Sequence, residues 1–350
     1  MSPPRTVRRW RRWAAAAVPL LLVAACTASS QASPSSQASP SFAFTSKLPI
    51  PSFTGRCPAL TVPSDSGRTV VIPLHIQTPS TVTSQIFAGV CLNGHGPYPF
   101  VVDTGSHDTF VDAALARRLG LISASATSGM HLCDGPQKAV SVRLSAGPFV
   151  FGQARQILVT DLASPSAPLM GILGADALSS FGVDRIDYLA QTLTVPAPAA
   201  DRAALASPSA PAPSAPASLS AGTTHRIRLS PSGNYQLMPA TAGNARGRLL
   251  LDTGAQGTTL TPAFVRQAGL AKASSVTTPT YAGAGCTKTV SYYTARDWSI
   301  GGFPLAPQPV GSVPDFLVAD GSFGSGTLQR YSPVVIDYRH HELLLGPLRR

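Results

Sequence analysis

Residues 100–108 read FVVDTGSHD and residues 249–257 read LLLDTGAQG, an apolar run that twice stops on Asp-Thr-Gly. This repetition constrains the fold most, because the landmarks after each copy recur as well. A Gly-Leu pair stands at 120–121 after Asp103 and at 269–270 after Asp252, at the same offset (120 − 103 = 17 and 269 − 252 = 17). A Gly-x-x-Gly comes next, GILG at 171–174 and GSFG at 321–324, with offsets of 171 − 103 = 68 and 321 − 252 = 69. An Asp-Tyr then arrives at 187–188 and 337–338, with offsets of 187 − 103 = 84 and 337 − 252 = 85. Between these landmarks SAGPFVF (145–151) parallels SIGGFPL (299–305), which predicts a hairpin in each half. One Asp-Thr-Gly arises by chance. Landmarks agreeing to within a single position mean a duplicated lobe.

The texture between landmarks is short apolar stretches bounded by Gly, Pro and Asn, such as RTVVIPLHI, SQIFAGVCL and RQILVTDL. These predict strands of a mainly β fold. Helical periodicity is confined to short pieces at 112–121 and 262–270. Residues 27–56, with SQASP twice, and 196–222 are rich in Ser, Pro and Ala and hold few large apolar residues to bury. The expected organisation is a signal peptide at 1–25, a tether at 26–56, lobes at 57–195 and 223–350, and a linker at 196–222 between them.

The chemistry comes from the repeat. Each copy brings a buried strand up to an acid, and glycine permits the tight turn beside it. If the lobes meet about a pseudo-two-fold axis, Asp103 and Asp252 face one another. Two carboxyls a few ångströms apart do not both ionise readily, so they share a proton, and the titration belongs to the pair. The ionised member can then activate a water while the protonated one polarises a carbonyl.

FVVDTGS…GILGADALSSFGVDRIDY and LLLDTGA…GSFGSGTLQRYSPVVIDY each resemble a lobe of the bacterial retropepsin-like aspartic proteases. The whole resembles a fused retropepsin dimer or compact pepsin. The resemblance covers both lobes but neither tether nor linker. It implies two acid-protease β-barrel lobes with the active site in the cleft between them. It also implies Asp103 and Asp252 as the catalytic pair, with no cofactor and no metal. Thr104 and Thr253 would bond across to the opposite loop, Gly105 and Gly254 would close the turns, and Ile172-Leu173-Gly174 would back the first acid. Ser322 departs from this pattern, since an apolar residue is expected there. The first-lobe flap would lie near 126–137, without the tyrosine of pepsin flaps. The second lobe offers TYAGAGC at 280–286, and which hairpin closes over substrate stays open.

Beside the acids the copies differ, with Ser106 in one and Ala255 in the other. A Ser106 hydroxyl donating to Asp103 would favour its charged form. On that basis Asp103 is expected to be ionised and Asp252 to hold the proton.

The N-terminus has a targeting layout. Arg5, Arg8, Arg9, Arg11 and Arg12 precede an apolar segment, Ala14 to Ala25, with the length of a signal-peptide core and short of a membrane span. Val23-Ala24-Ala25-Cys26 resembles a bacterial lipobox, which implies lipidation at Cys26 and attachment to the outer face of the cell membrane. Removing that segment lowers the formal +11 to about 11 − 5 = +6. The remaining charges are scattered without aromatic interleaving, which speaks against nucleic acid as a partner. No CxxC or HExxH metal spacing occurs. In an exported chain Cys57, Cys91, Cys133 and Cys286 suit two disulfides, with three pairings open.

Three functions fit: an endopeptidase cutting peptides between the lobes, a catalytically silent envelope lipoprotein binding peptides or a partner there, and an enzyme completed only by a second chain. The 27-residue linker spans roughly 25–30 Å as a coil, which favours a monomer whose own two lobes pair.

Overall fold

The computed structural model describes residues 50–59, 69–122, 138–164, 167–195, 225–273, 278–281, 287–313 and 318–349. The export segment, Cys26, most of the tether, the linker 196–222, the first-lobe flap with Cys133, and Cys286 lie outside the described residues.

The duplicated half is a β unit built round one buried hairpin. Thr83–Leu92 is buried at every position, so it serves as a central strand covered on both faces. It pairs antiparallel with His95–Val102, setting Phe87 opposite Val101 and Ala88 opposite Phe100. The short strand Gly171–Leu173 lies parallel on the far side, with Leu173 opposite Val102. Lobe two repeats this with Tyr235–Ala242 against Ala245–Asp252, Leu237 facing Leu250. Gly321–Gly324 lies parallel on its far side, Gly324 facing Asp252. A parallel neighbour needs a long crossover, and each lobe spends the residues between its Asp-Thr-Gly and its Gly-x-x-Gly on one.

The predicted helices form and carry their own start signals. Asp112 Oδ2 accepts the amides of Ala114 and Leu115 to cap Ala113–Arg118. Thr261 caps Pro262–Ala268 through the Phe264 amide, and Gly269 ends that helix in the left-handed conformation. These are the arrangements expected of an N-cap and a C-terminal glycine. The two predicted hairpins are also present, Leu144–Ala146 with Phe149–Val150 and Trp298–Ile300 with Phe303–Pro304.

The lobes share a sheet. Val183–Asp187 pairs antiparallel with Val334–Asp337, Asp184 opposite Ile336 and Ile186 opposite Val334. These residues are equivalent in the two repeats, so a local two-fold axis passes through the Arg185–Val335 pair. Thr192–Val195 and Val70–Ser80 extend the sheet on one side, and Glu342–Leu345 and His225–Arg228 on the other. One buried apolar cluster runs through both halves, taking in Phe100 and Leu173 as well as Leu249 and Phe323. The Asp-Tyr landmarks belong here as turn builders. Asp187 Oδ1 accepts the amides of Leu189 and Ala190, and Asp337 Oδ1 those of Arg339 and His340.

Of the cysteines, Cys57 and Cys91 are joined by a disulfide. Phe53, within the stretch expected as tether, packs against Gly89 close by. The end of that stretch therefore lies against the first lobe.

Candidate active site

Each acid stands where a buried strand runs out. Val102 and Leu251 are fully buried, and Asp103 and Asp252 come directly after them at the turns. The threonine after each acid reaches across the two-fold axis. The Thr104 amide donates to Thr253 Oγ1 at 3.1 Å, and the Thr253 amide to Thr104 Oγ1 at 3.0 Å. Each hydroxyl in turn donates to the backbone of the other lobe, Thr104 to Leu251 O and Thr253 to Val102 O, both at 2.8 Å. Four buried bonds thus fix the two turns to one another, and a hydroxyl is the group that can donate and accept at once.

This lock presses each acid against the opposite glycine. A methyl group on Gly105 would land on the Asp252 carboxyl, and one on Gly254 on the Asp103 carboxyl. Within its own turn each acid accepts a backbone amide, Gly105 to Asp103 Oδ1 and Ala255 to Asp252 Oδ1, both at 2.8 Å. The two carboxyls interact directly, the charge of Asp252 raising Asp103. Each residue keeps some surface open to solvent, yet burial round the carboxyl is the largest influence on both.

Both acids are raised. Burial, and then the charge of Asp252, hold the Asp103 carboxyl well above the usual carboxylate range. Burial likewise raises Asp252, against the Ala255 amide that its Oδ1 accepts. The expectation that a Ser106 hydroxyl bond would favour the charged form of Asp103 loses its basis. The Ser106 hydroxyl donates to Asp108 O at 2.9 Å inside its own turn, and its amide donates to the Asp103 carbonyl at 3.3 Å. Ala255 lacks a hydroxyl, and the Ser322 hydroxyl pairs with that of Thr259 at 3.0 Å.

Further residues frame the pair from the strands behind. Ser84 N donates to Gln256 O at 2.9 Å and Gln85 Nε2 to Gly254 O at 3.1 Å. On the opposite side Asn234 Nδ2 donates to His107 O at 3.0 Å, and Tyr235 meets the His107 ring edge-on at 5.3 Å. Ser84-Gln85 and Asn234-Tyr235 are equivalent positions, each preceding the residue that pairs opposite Val101 or Leu250 by the same steps. Burial first, then the negative fields of Asp103, Asp108 and Asp252, raise the Tyr235 phenol. No motif marks these four residues, and only the register of the central hairpin could have found them. The second-lobe flap candidate has its arms in place, Thr278–Tyr281 antiparallel to Thr287–Ala295.

A family model described as aspartyl protease matches the sequence twice, at residues 88–177 and 238–339. The two matches enclose one Asp-Thr-Gly each. No curated protein matches the chain.

Proposed function

Because the chain belongs to the aspartyl protease family, we propose that it is an aspartic endopeptidase with Asp103 and Asp252 as its catalytic pair. The observation that carries this reading is the reciprocal threonine lock, which holds each carboxyl against the glycine of the opposite turn. Thr104, Gly105, Ser106, Thr253, Gly254 and Ala255 act as the supporting turns.

The pair works with one proton between its members. The ionised carboxylate takes a proton from water as the water oxygen bonds to the peptide carbonyl carbon. The protonated carboxyl gives its proton to the carbonyl oxygen, producing a tetrahedral diol. The C–N bond then breaks with its electron pair leaving on nitrogen, which takes a proton from the first acid. One diol hydroxyl returns its proton to the second acid, and the pair ends as it began. Activity therefore falls when both acids are protonated and again when both are ionised. The raised position of Asp103 carries the upper limit toward neutral pH.

We further propose a bacterial lipoprotein, processed before Cys26, lipidated there, held at the outer face of the membrane and working as a monomer. Metabolic labelling with a fatty-acid probe should mark the wild-type chain and leave Cys26→Ser unlabelled. Labelling of both would remove the anchor.

The activity is tested by incubating the protein with a mixed peptide library between pH 4 and 7, with and without pepstatin. Cleavage that pepstatin blocks, and that Asp103→Asn and Asp252→Asn each abolish, is the expected result. Peptide binding without cleavage at any pH would favour a silent receptor instead.

A further inference from the structure

Each acid-bearing turn is held from behind by the end of its own lobe's Gly-x-x-Gly. In lobe one four consecutive residues take part. Leu173 O accepts the Asp103 amide at 3.0 Å, and the Ala175 amide donates to Ser106 O at 2.8 Å. Between them the Gly174 amide donates to Thr109 Oγ1 at 3.1 Å. Asp176 completes the set, its Oδ1 accepting the Thr109 hydroxyl at 2.7 Å. Thr109 is fully buried and stands sixth after Asp103, where the turn ends. The approach is close, since a methyl group on Gly174 would land on the Asp108 carbonyl.

A threonine hydroxyl has one proton to give and lone pairs to receive. With the Thr109 proton on Asp176, its lone pairs are left for the Gly174 amide, so Asp176 sets the direction of the hydroxyl. Asp176 is held in turn, Arg155 Nη1 donating to its carbonyl at 3.1 Å, with the guanidinium over the Phe151 ring at 4.6 Å. Lobe two has the same hydroxyl with a different backing. Thr258, sixth after Asp252, accepts the Gly324 amide at 3.2 Å, and the Ser325 amide donates to Ala255 O at 2.9 Å. Gly326 occupies the position of Asp176, and the next residue serves instead. The Thr258 and Thr327 hydroxyls lie 2.7 Å apart, and Gln308 Nε2 donates to Thr327 Oγ1 at 2.6 Å.

We propose that Thr109, oriented by Asp176, is a positioning residue for Asp103, and that Thr258, backed by Thr327, does the same for Asp252. The proposal rests on the reading of the pair as a peptidase active site. The Thr104–Thr253 lock fixes the two turns to one another, and these braces fix each turn to its own lobe. Thr109 ties the far end of the first turn to the same segment that holds the Asp103 amide, so the turn is pinned at both ends. The acid then keeps its place relative to its partner. The charged groups facing Asp176 are Arg155 and Asp108. Lobe two builds its brace from neutral groups.

Thr109→Val keeps the side-chain shape and removes the hydroxyl. Its kcat on a cleavable peptide should fall about 10- to 100-fold, the scale of a reacting group misplaced by up to about 1 Å, while KM changes little. Thr109→Ser, which keeps the hydroxyl, should restore kcat. Carbon-13 carboxyl NMR titration of the full chain reads the brace without turnover. In Thr109→Val the Asp176 titration should rise for want of its donor. The gap between the two titrations of the Asp103–Asp252 pair should narrow by about half a pH unit, the effect of separating two charges from about 4 to about 5 Å at an effective dielectric of about 20. Thr258→Val should narrow the same gap and leave Asp176 unmoved. Should Thr109→Val not fold, Asp176→Leu removes the acceptor alone and should lower kcat, whereas Asp176→Asn, which keeps Oδ1, should not. A folded Thr109→Val with wild-type kcat and an unchanged gap would overturn the brace. If the wild-type chain cleaves nothing, the peptidase reading sinks, and the gap in Thr109→Val still decides the brace.

Discussion

Thr104→Val probes the lock between the lobes at nearly constant shape. The substitution keeps a β-branched side chain and exchanges Oγ1 for a methyl. Two bonds disappear: the donation to Leu251 O at 2.8 Å and the acceptance from the Thr253 amide at 3.0 Å. Thr104 is 2% exposed and Thr253 fully buried, so water does not replace the lost partners. Each buried group left unpaired costs about 1–3 kcal/mol, about 4 for the two at mid-range. The added methyl returns about 0.8 kcal/mol of apolar burial. The net expectation is a loss of about 3 kcal/mol, read from urea unfolding followed by tryptophan fluorescence. Thr104→Ser keeps both bonds and should stay within about 1 kcal/mol of wild type, losing one buried methyl. Thr253→Val should match Thr104→Val by symmetry. The double variant should lose measurably less or more than the sum, because both hydroxyls belong to one network. A single-variant loss under about 1 kcal/mol, or strict additivity, would show that the lock does not hold the turns together.

Two other perturbations probe the same geometry. Gly254→Ala places a methyl on the Asp103 carboxyl; it should abolish cleavage and cost about 1–3 kcal/mol, whereas retained turnover would mean the turns separate more freely than the lock allows. Asp184 is buried in the inter-lobe sheet, with Oδ2 accepting the Tyr338 hydroxyl at 3.0 Å and Oδ1 without a partner. Burial raises its carboxyl well above 3.8 despite that bond. Its contribution to stability is therefore complete below the ordinary carboxylate range and is lost as pH rises through the raised value. Asp184→Asn should flatten the decline in unfolding free energy between acidic and neutral pH, the remainder belonging to the other acids raised by burial, Asp103, Asp176 and Asp252. An unchanged slope would contradict it.

Much of this architecture is legible in the sequence because duplication prints itself twice. The offsets from Asp103 and Asp252 set the two lobes, and Asp112 and Thr261 announce their helices through local caps. The hidden part depends on register between distant segments. Ser322 comes beside the strand of the second acid because it pairs with Leu250 in a parallel neighbour, on the far side of a long crossover. Nearness in sequence points to Ser106, whose hydroxyl turns back to the Asp108 carbonyl, as serine does in tight turns. Gln85 and Tyr235 are silent for the same reason, since each serves the opposite lobe. The Cys57–Cys91 pairing also needs the fold, because spacing alone leaves three choices.

Peptide turnover by a one-to-one mixture of Asp103→Asn and Asp252→Asn chains, beside wild type and each variant alone, bears most directly on one active site made by the two lobes of one chain. Turnover by wild type, and silence from each variant and from their mixture, is the expected result. Recovered cleavage in the mixture would show lobes pairing between chains, and cleavage by either variant alone would show that the pair is not the catalytic centre.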